Sequence, residues 1–212
     1  MEISSIKKYK GTTYEVELDN ERKIYLHIDI IADFGLRSGM SVEREELKKI
    51  IYASNFHRAY NYALYQLDYK DYSAEEMHGK LIEKYKSEKL CLAVVSKLAK
   101  AGLIDDSRYA EKLARKLVVS KKYGFYRAKR EIMLKGIDEY TALEALEPYS
   151  ETYTENLEEL LRNKHYRLLT DSSDKKSVEK VKNALSRYGY SFEEINCAVR
   201  NYFENEELRR NE

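Results

Sequence analysis

Near the start of the chain, apolar and polar residues alternate with period two. Beyond that point, apolar residues recur at helical spacing almost everywhere. Tyr14, Val16 and Leu18 fall on one strand face, as do Ile24, Leu26 and Ile28. Residues 4–9, 13–18 and 23–28 are therefore predicted strands, with turns at Lys10-Gly11 and Asp19-Asn20-Glu21. Such a meander has one apolar face and must pack on something. Residues 29–34 predict a helical turn ended by Gly35, with Gly39 in the next loop. Helical periodicity opens at Ser41 and runs to about Tyr69, with a break predicted near Ser54-Asn55. No strand signal returns after it. Ser73–Glu76, Thr152–Glu155 and Ser191–Glu194 each set a hydroxyl residue three positions before a glutamate. This is the capping-box spacing, and it predicts helix starts near residues 74, 153 and 192.

The helical part repeats. Residues 77–95 shifted by 51 match 128–146, and those shifted by 53 match 181–199. Met77, Ala128 and Val181 coincide, as do Leu81, Ile132 and Leu185. Gly136 and Gly189 coincide at the break between two helices, where a C-terminal cap needs positive φ. Tyr85 holds that place in the first copy, so its turn must be built differently or be slightly strained. A further apolar-periodic helix precedes each pair, carrying Tyr62, Leu64 and Leu67, then Tyr109, Leu113 and Leu117, then Leu157, Leu161 and Leu168. The unit is a three-helix module of about 50 residues, present three times. Each module can form a small core of its own, and modules that touch mainly their neighbours make an elongated array.

Composition changes this picture in two ways. One proline and 8 glycines in 212 residues do not supply the turns of a β-sandwich. A hydrophobic fraction of 43% with a net charge of +1 does not suit a disordered chain. No apolar run reaches membrane-spanning length and the N-terminus does not read as a signal peptide, so a cytoplasmic chain is expected. Cys91 and Cys197 fall on apolar helix faces and read as buried free thiols.

The near-zero net charge hides a segregation. Residues 74–135 carry a net +8, against −1 before them and −6 after them. Residues 107–135 hold ten basic side chains against Glu111 and Glu131 alone. A basic module beside an acidic one suggests a polyanionic partner; a solvated lysine-rich face is the competing reading. Tyr123, Phe125 and Tyr126 lie among Lys121, Lys122, Arg127, Lys129 and Arg130. Aromatic rings among cations can stack on bases and hold phosphates, or can simply fill a module boundary.

Enzyme chemistry finds no footing. There is no phosphate-binding Gly-x-x-x-x-Gly-Lys loop and no Gly-x-Ser-x-Gly elbow. His27, His57, His78 and His165 are scattered and read as surface or boundary residues. Asp105 and Asp106 resemble an acid pair, but acids at a helix N-terminus cap the backbone and favour the macrodipole. In that reading Gly102 ends a helix while Leu103 and Ile104 staple the turn into the core.

The run Gly102-Leu103-Ile104-Asp105-Asp106-Ser107-Arg108-Tyr109-Ala110 resembles the signature of the RecX family of recombinase regulators. Ser73 to Lys84 is similar to that family's second helix, and Leu134-Lys135-Gly136-Ile137 to its Lys-Gly-Ile turn. The N-terminal meander and Phe34–Met40 resemble its longer members, so the likeness covers nearly the whole chain. Tyr85 at the expected glycine is the departure.

A non-enzymatic monomer without cofactor or metal is expected, because no nucleophile–base pair or ligand cluster assembles from the sequence. The resemblance implies a regulator of RecA. It would bind RecA and the RecA–DNA filament and inhibit ATPase and strand exchange in recombination, DNA repair and the SOS response. The alternative is a DNA-binding protein that acts without RecA through its basic middle module. The expected fold is mostly α, with three tandem three-helix modules in an elongated array behind a small antiparallel β meander. The expected segments are 1–40 (meander and short helix), 41–103 (linking helix and first repeat), 104–150 (second, basic) and 151–212 (third, acidic). The filament-facing candidates are Arg108, Arg115, Lys116, Lys121, Lys122, Tyr123, Tyr126, Arg127, Lys129 and Arg130.

Overall fold

The computed structural model describes residues 1–19 and 21–210; Asn20 of the second predicted turn and the last two residues of the fourth segment lie outside them. The chain is mostly helical, with a three-stranded antiparallel sheet at its N-terminal end. It packs as two units, Met1–Lys70 with Met77–Leu103, and Asp71–Glu76 with the chain from Ile104 onward.

In the first unit, β1 (Ile3–Lys10), β2 (Thr13–Leu18) and β3 (Lys23–His27) lie in sequence order. Val16 stands opposite Ile6 and Ile24, so the predicted alternation sets the register. Ile3, Val16, Leu18 and Leu26 are buried in one cluster with Ile30 of α1 (Ile28–Asp33), Leu36, Val42, and Leu47 and Ile50 of α2 (Arg44–Leu67). Ile28 does not close β3 as its alternation suggested. It opens α1 and is exposed, with the His27 ring at the cap position 3.3 Å from the Asp29 backbone nitrogen. The break expected at Ser54-Asn55 is absent: α2 runs unbroken and buries Ser54. Helix propensity is a weak preference, a few tenths of a kcal/mol for serine, and packing overrides it.

The first unit continues through the part of α3 (Ala74–Tyr85) from Met77 onward and through α4 (Glu88–Lys100), which packs on α2. Ala59, Ala63, Met77, Leu81, Cys91, Val94 and Leu98 are buried there. The turn that lacks the repeat glycine is built one residue later. Tyr85 stays helical and Lys86 takes φ +52, while the Tyr85 hydroxyl donates to the Arg58 carbonyl at 3.0 Å.

The second unit holds α5 (Asp106–Arg115), α6 (Phe125–Met133), α7 (Glu139–Leu146), α8 (Thr152–Leu160), α9 (Lys175–Tyr188) and α10 (Phe192–Arg210). α5 and α8 each run into a π-helical turn, at Lys116–Ser120 and Leu161–His165. In the first, Lys121 donates to Lys116 at 3.1 Å, and buried Asn156 of α8 donates its amide to the Val118 carbonyl at 3.0 Å. The six helices share one apolar cluster, from Ala110 and Val118 through Ile132 and Leu146 to Leu161, Leu185 and Ile195.

Three local expectations are corrected. Ser73–Glu76 and Ser191–Glu194 form the reciprocal capping bonds, but Thr152–Glu155 does not. There a 3-10 turn at Glu147–Tyr149 leads into α8, and Glu151 occupies the cap position in helical conformation with no side-chain bond. Ile104 is buried, but Leu103 is 43% exposed, turned outward while its N–H closes the end of α4 on Leu98. Cys91 is buried; Cys197 is exposed.

Candidate functional site

The side chains behind the sequence resemblance converge on one knot in the second unit. Ser73 Oγ accepts the Glu76 N–H at 3.0 Å, starting α3, and itself donates to the Lys135 carbonyl. Asp105 caps its own helix through the Arg108 N–H at 2.9 Å. Asp106 instead reaches the Ala74 N–H at 2.9 Å and helps cap α3. The acid pair is thus two caps on two helices. Lys135 Nζ lies 2.9 Å from Glu76 Oε1, and the Tyr109 hydroxyl donates toward the other Glu76 oxygen at 3.5 Å. Burial pushes the Asp106 carboxyl above the usual carboxylate range, outweighing the Ala74 N–H that favours its charge. Burial likewise raises Tyr109, whereas the bond to Glu76 raises Lys135.

The same joint is built a second time, one repeat further on. The Gly124 N–H at the start of α6 donates to the Tyr188 carbonyl at 2.8 Å, as Ser73 at the start of α3 donates to Lys135. Gly136 (φ +75) closes on Glu75 and Gly189 (φ +91) on Arg127, with no room for a Cβ in either place. The second joint also carries Tyr126 N–H to Gly189 O at 3.2 Å and Tyr190 hydroxyl to Lys122 O at 2.9 Å. Burial pushes the Tyr190 hydroxyl well above its ordinary range.

This joint sorts the candidate residues into two groups. Arg127 donates to the Arg187 carbonyl at 2.8 Å, stands 3.9 Å over the Tyr123 ring and lies 3.7 Å from Glu131. Tyr123 meets Tyr188 edge-on at 6.0 Å. Lys122, at φ +57, pairs with Glu159 at 2.8 Å, and Lys129 pairs with Glu139. These four are half-buried and bound within the protein. The other six are exposed: Arg108 in the first turn of α5, Arg115 at its end, Lys116 in the π turn, Lys121 in the loop, and Tyr126 and Arg130 on α6. Arg115, Lys116 and Arg130 pair with no acidic side chain among the described residues. Tyr126 is 61% exposed and, with Lys129, Arg130, Met133 and Leu134, lines an open groove of about 370 Å³.

The histidines are not all scattered. His27 and His57, in the first unit, stack with ring centres 4.4 Å apart beside Asp29. Their 30-residue separation hid them, because only the chain reversal through α1 brings β3 and α2 together. His165 is buried, and burial lowers its pKa, with Lys164 adding to the effect.

The fold and these sites define a mostly helical protein with a small N-terminal β meander and an exposed cationic and aromatic face. Among the described residues, no helix is long and apolar enough to cross a membrane. Residues 105–146 match the family described as RecX, second three-helix domain. The chain is 31% identical over 203 residues to the regulatory protein RecX of Clostridium acetobutylicum, covering 92% of each chain. Identity to the RecX of Streptococcus sanguinis is 28%, over all of this chain and 81% of that one. A crystal structure of a regulatory protein RecX has the same fold, with a TM-score of 0.76 at 22% identity, over 94% of this chain and 98% of that one. RecX from Lactobacillus salivarius aligns over 70% of this chain and 97% of its own, with a TM-score of 0.64 at 27% identity. The chain belongs to the RecX family of regulatory proteins.

Proposed function

We propose that this protein is a non-enzymatic regulator that docks on the RecA–DNA filament and restrains ATPase and strand exchange. On this reading the helices from α2 onward form three modules, as the sequence repeat and the duplicated joint suggest. One observation supports the docking face best. The basic excess of the second module divides, and Arg108, Arg115, Lys116, Lys121 and Arg130 remain exposed, with Tyr126 beside Arg130. Exposed cations attract a phosphate-rich filament, and such contacts are screened by salt.

The test reverses Arg115, Lys116, Lys121 and Arg130 to Glu and measures binding to RecA filaments across a salt series. Binding should weaken and its salt dependence flatten, with helicity unchanged. Glu204→Lys with Glu207→Lys, exposed on α10, is the control and should not weaken binding. Unchanged affinity in the reversed protein sinks the assignment of this face. The exposed Tyr126 favours a second reading, direct DNA binding, because a ring can stack on any base. Single-stranded DNA binding of equal strength with and without RecA would establish that reading instead.

A further inference from the structure

His27 ends β3, Asp29 lies in the first turn of α1, and His57 sits midway along α2, all within the first unit. His27 Nδ1 is 3.1 Å from Asp29 Oδ2, and His57 Nε2 is 3.5 Å from the same oxygen. One ligand atom from each of the three residues lies within 4.8 Å of the others. Around a tetrahedral ion with bonds of about 2.0–2.1 Å, donor atoms stand roughly 3.3 Å apart. The two nitrogen–oxygen spacings straddle that value, and the two ring nitrogens, within 4.8 Å of each other, complete the set by side-chain rotation. The His27 and His57 side chains keep about a quarter of their surface open, and Asp29 keeps more, so an ion can enter from solvent.

We propose that His27, Asp29 and His57 form a binding site for a divalent transition-metal ion, with zinc as its probe. The carboxylate is a hard ligand that any divalent ion accepts, but the two imidazole nitrogens are borderline and suit zinc and its neighbours far better than magnesium or calcium. Three protein ligands leave a fourth position for water. The bound ion ties the strand end and α1 to α2. His27 Nδ1 now accepts the Asp29 backbone N–H at a long 3.3 Å, a weak contact that coordination displaces.

The experiment uses the full chain with Cys197→Ser, which removes the exposed thiol as a rival ligand. Zinc is titrated against a chromogenic chelator, and the melting temperature is read with and without the metal. One equivalent should bind, and zinc should raise the melting temperature, because the ion binds the folded state. His27→Ser keeps a hydroxyl able to cap α1, and His57→Gln changes a half-exposed position on α2. Each should weaken zinc binding at least tenfold and abolish the thermal shift, with unchanged circular dichroism. The assignment is overturned if the parent takes up no zinc. It is equally overturned if both folded variants bind zinc as tightly as the parent.

Discussion

Gly189 and Arg127 approach so closely that a Cβ on the glycine would stand 2.3 Å from the Arg127 Cβ. It would also stand 2.5 Å from the Arg127 backbone nitrogen, which cannot move aside as a flexible side chain can. Gly189 is moreover in the left-handed region, at φ +91. Gly189→Ala should therefore destabilise the protein by roughly 2–4 kcal/mol, combining backbone strain with overpacking. Chemical denaturation measures this, and a loss below about 0.5 kcal/mol, the surface-substitution range, would contradict the joint as described.

The basic residues should separate by readout. Arg127→Glu removes a cation that lies over Tyr123 and binds the Arg187 carbonyl, so it should lower the melting temperature. Arg130→Glu, on the exposed face of the same helix, should leave stability within about 0.5 kcal/mol of the parent. Thermal melts of the two variants decide this. Equal destabilisation would mean that Arg130 also holds the fold.

Asp106 should give an unusual pH signature. Its folded pKa lies above the ordinary value, so the folded state binds the proton more readily than the unfolded chain. Stability from this group therefore falls as pH rises through the window between the ordinary and the raised value. Asp106→Asn keeps an oxygen to accept the Ala74 N–H and removes the desolvated charge. The variant should equal or exceed the parent in stability at neutral pH and lose the parent's relative gain on acidification. Denaturant melts between pH 3 and pH 7 show whether the two curves converge.

His165 should act in the opposite sense. Burial depresses its folded pKa below the ordinary 6.5, so the unfolded chain takes up the proton first. Stability from this group is complete above that value and is lost as pH falls below it. His165→Leu, similar in size and free of titration, should flatten the stability curve between pH 5 and pH 7. A parallel slope in parent and variant would mean that the imidazole takes up its proton equally in the folded and unfolded states.

Much of the fold was legible because local signals agreed with packing. The glycine register of the repeat marked Gly136 and Gly189, and the structure puts both in left-handed turns against a neighbouring helix. The capping boxes at Ser73 and Ser191 worked because each leads directly into a helix. Thr152 failed because the chain was already turning helically before it. The basic excess was visible as composition, yet no local pattern separates Arg127, held by a carbonyl 60 residues away, from exposed Arg130. Asp106 was readable as a helix cap, but which helix it caps depends on a contact 32 residues distant. His27 and His57 carried no motif, because their meeting is made by tertiary reversal alone.

The apolar cluster common to α5 through α10 separates two lengths that the repeat makes look equal. The sequence matches recur about every 50 residues, but the second unit buries residues of α5 to α10 in one cluster. Ala142, Leu146, Leu157 and Leu161 belong to that one cluster, and buried Asn156 of α8 reaches back to the Val118 carbonyl. Residues 104–150 expressed alone would present to solvent the surface that α8 now covers, at about 25 cal/mol for each Å² of apolar area uncovered. The length of the sequence repeat and the extent of the buried cluster thus differ in this chain. A deletion at a repeat boundary after α7 therefore cuts through one apolar core.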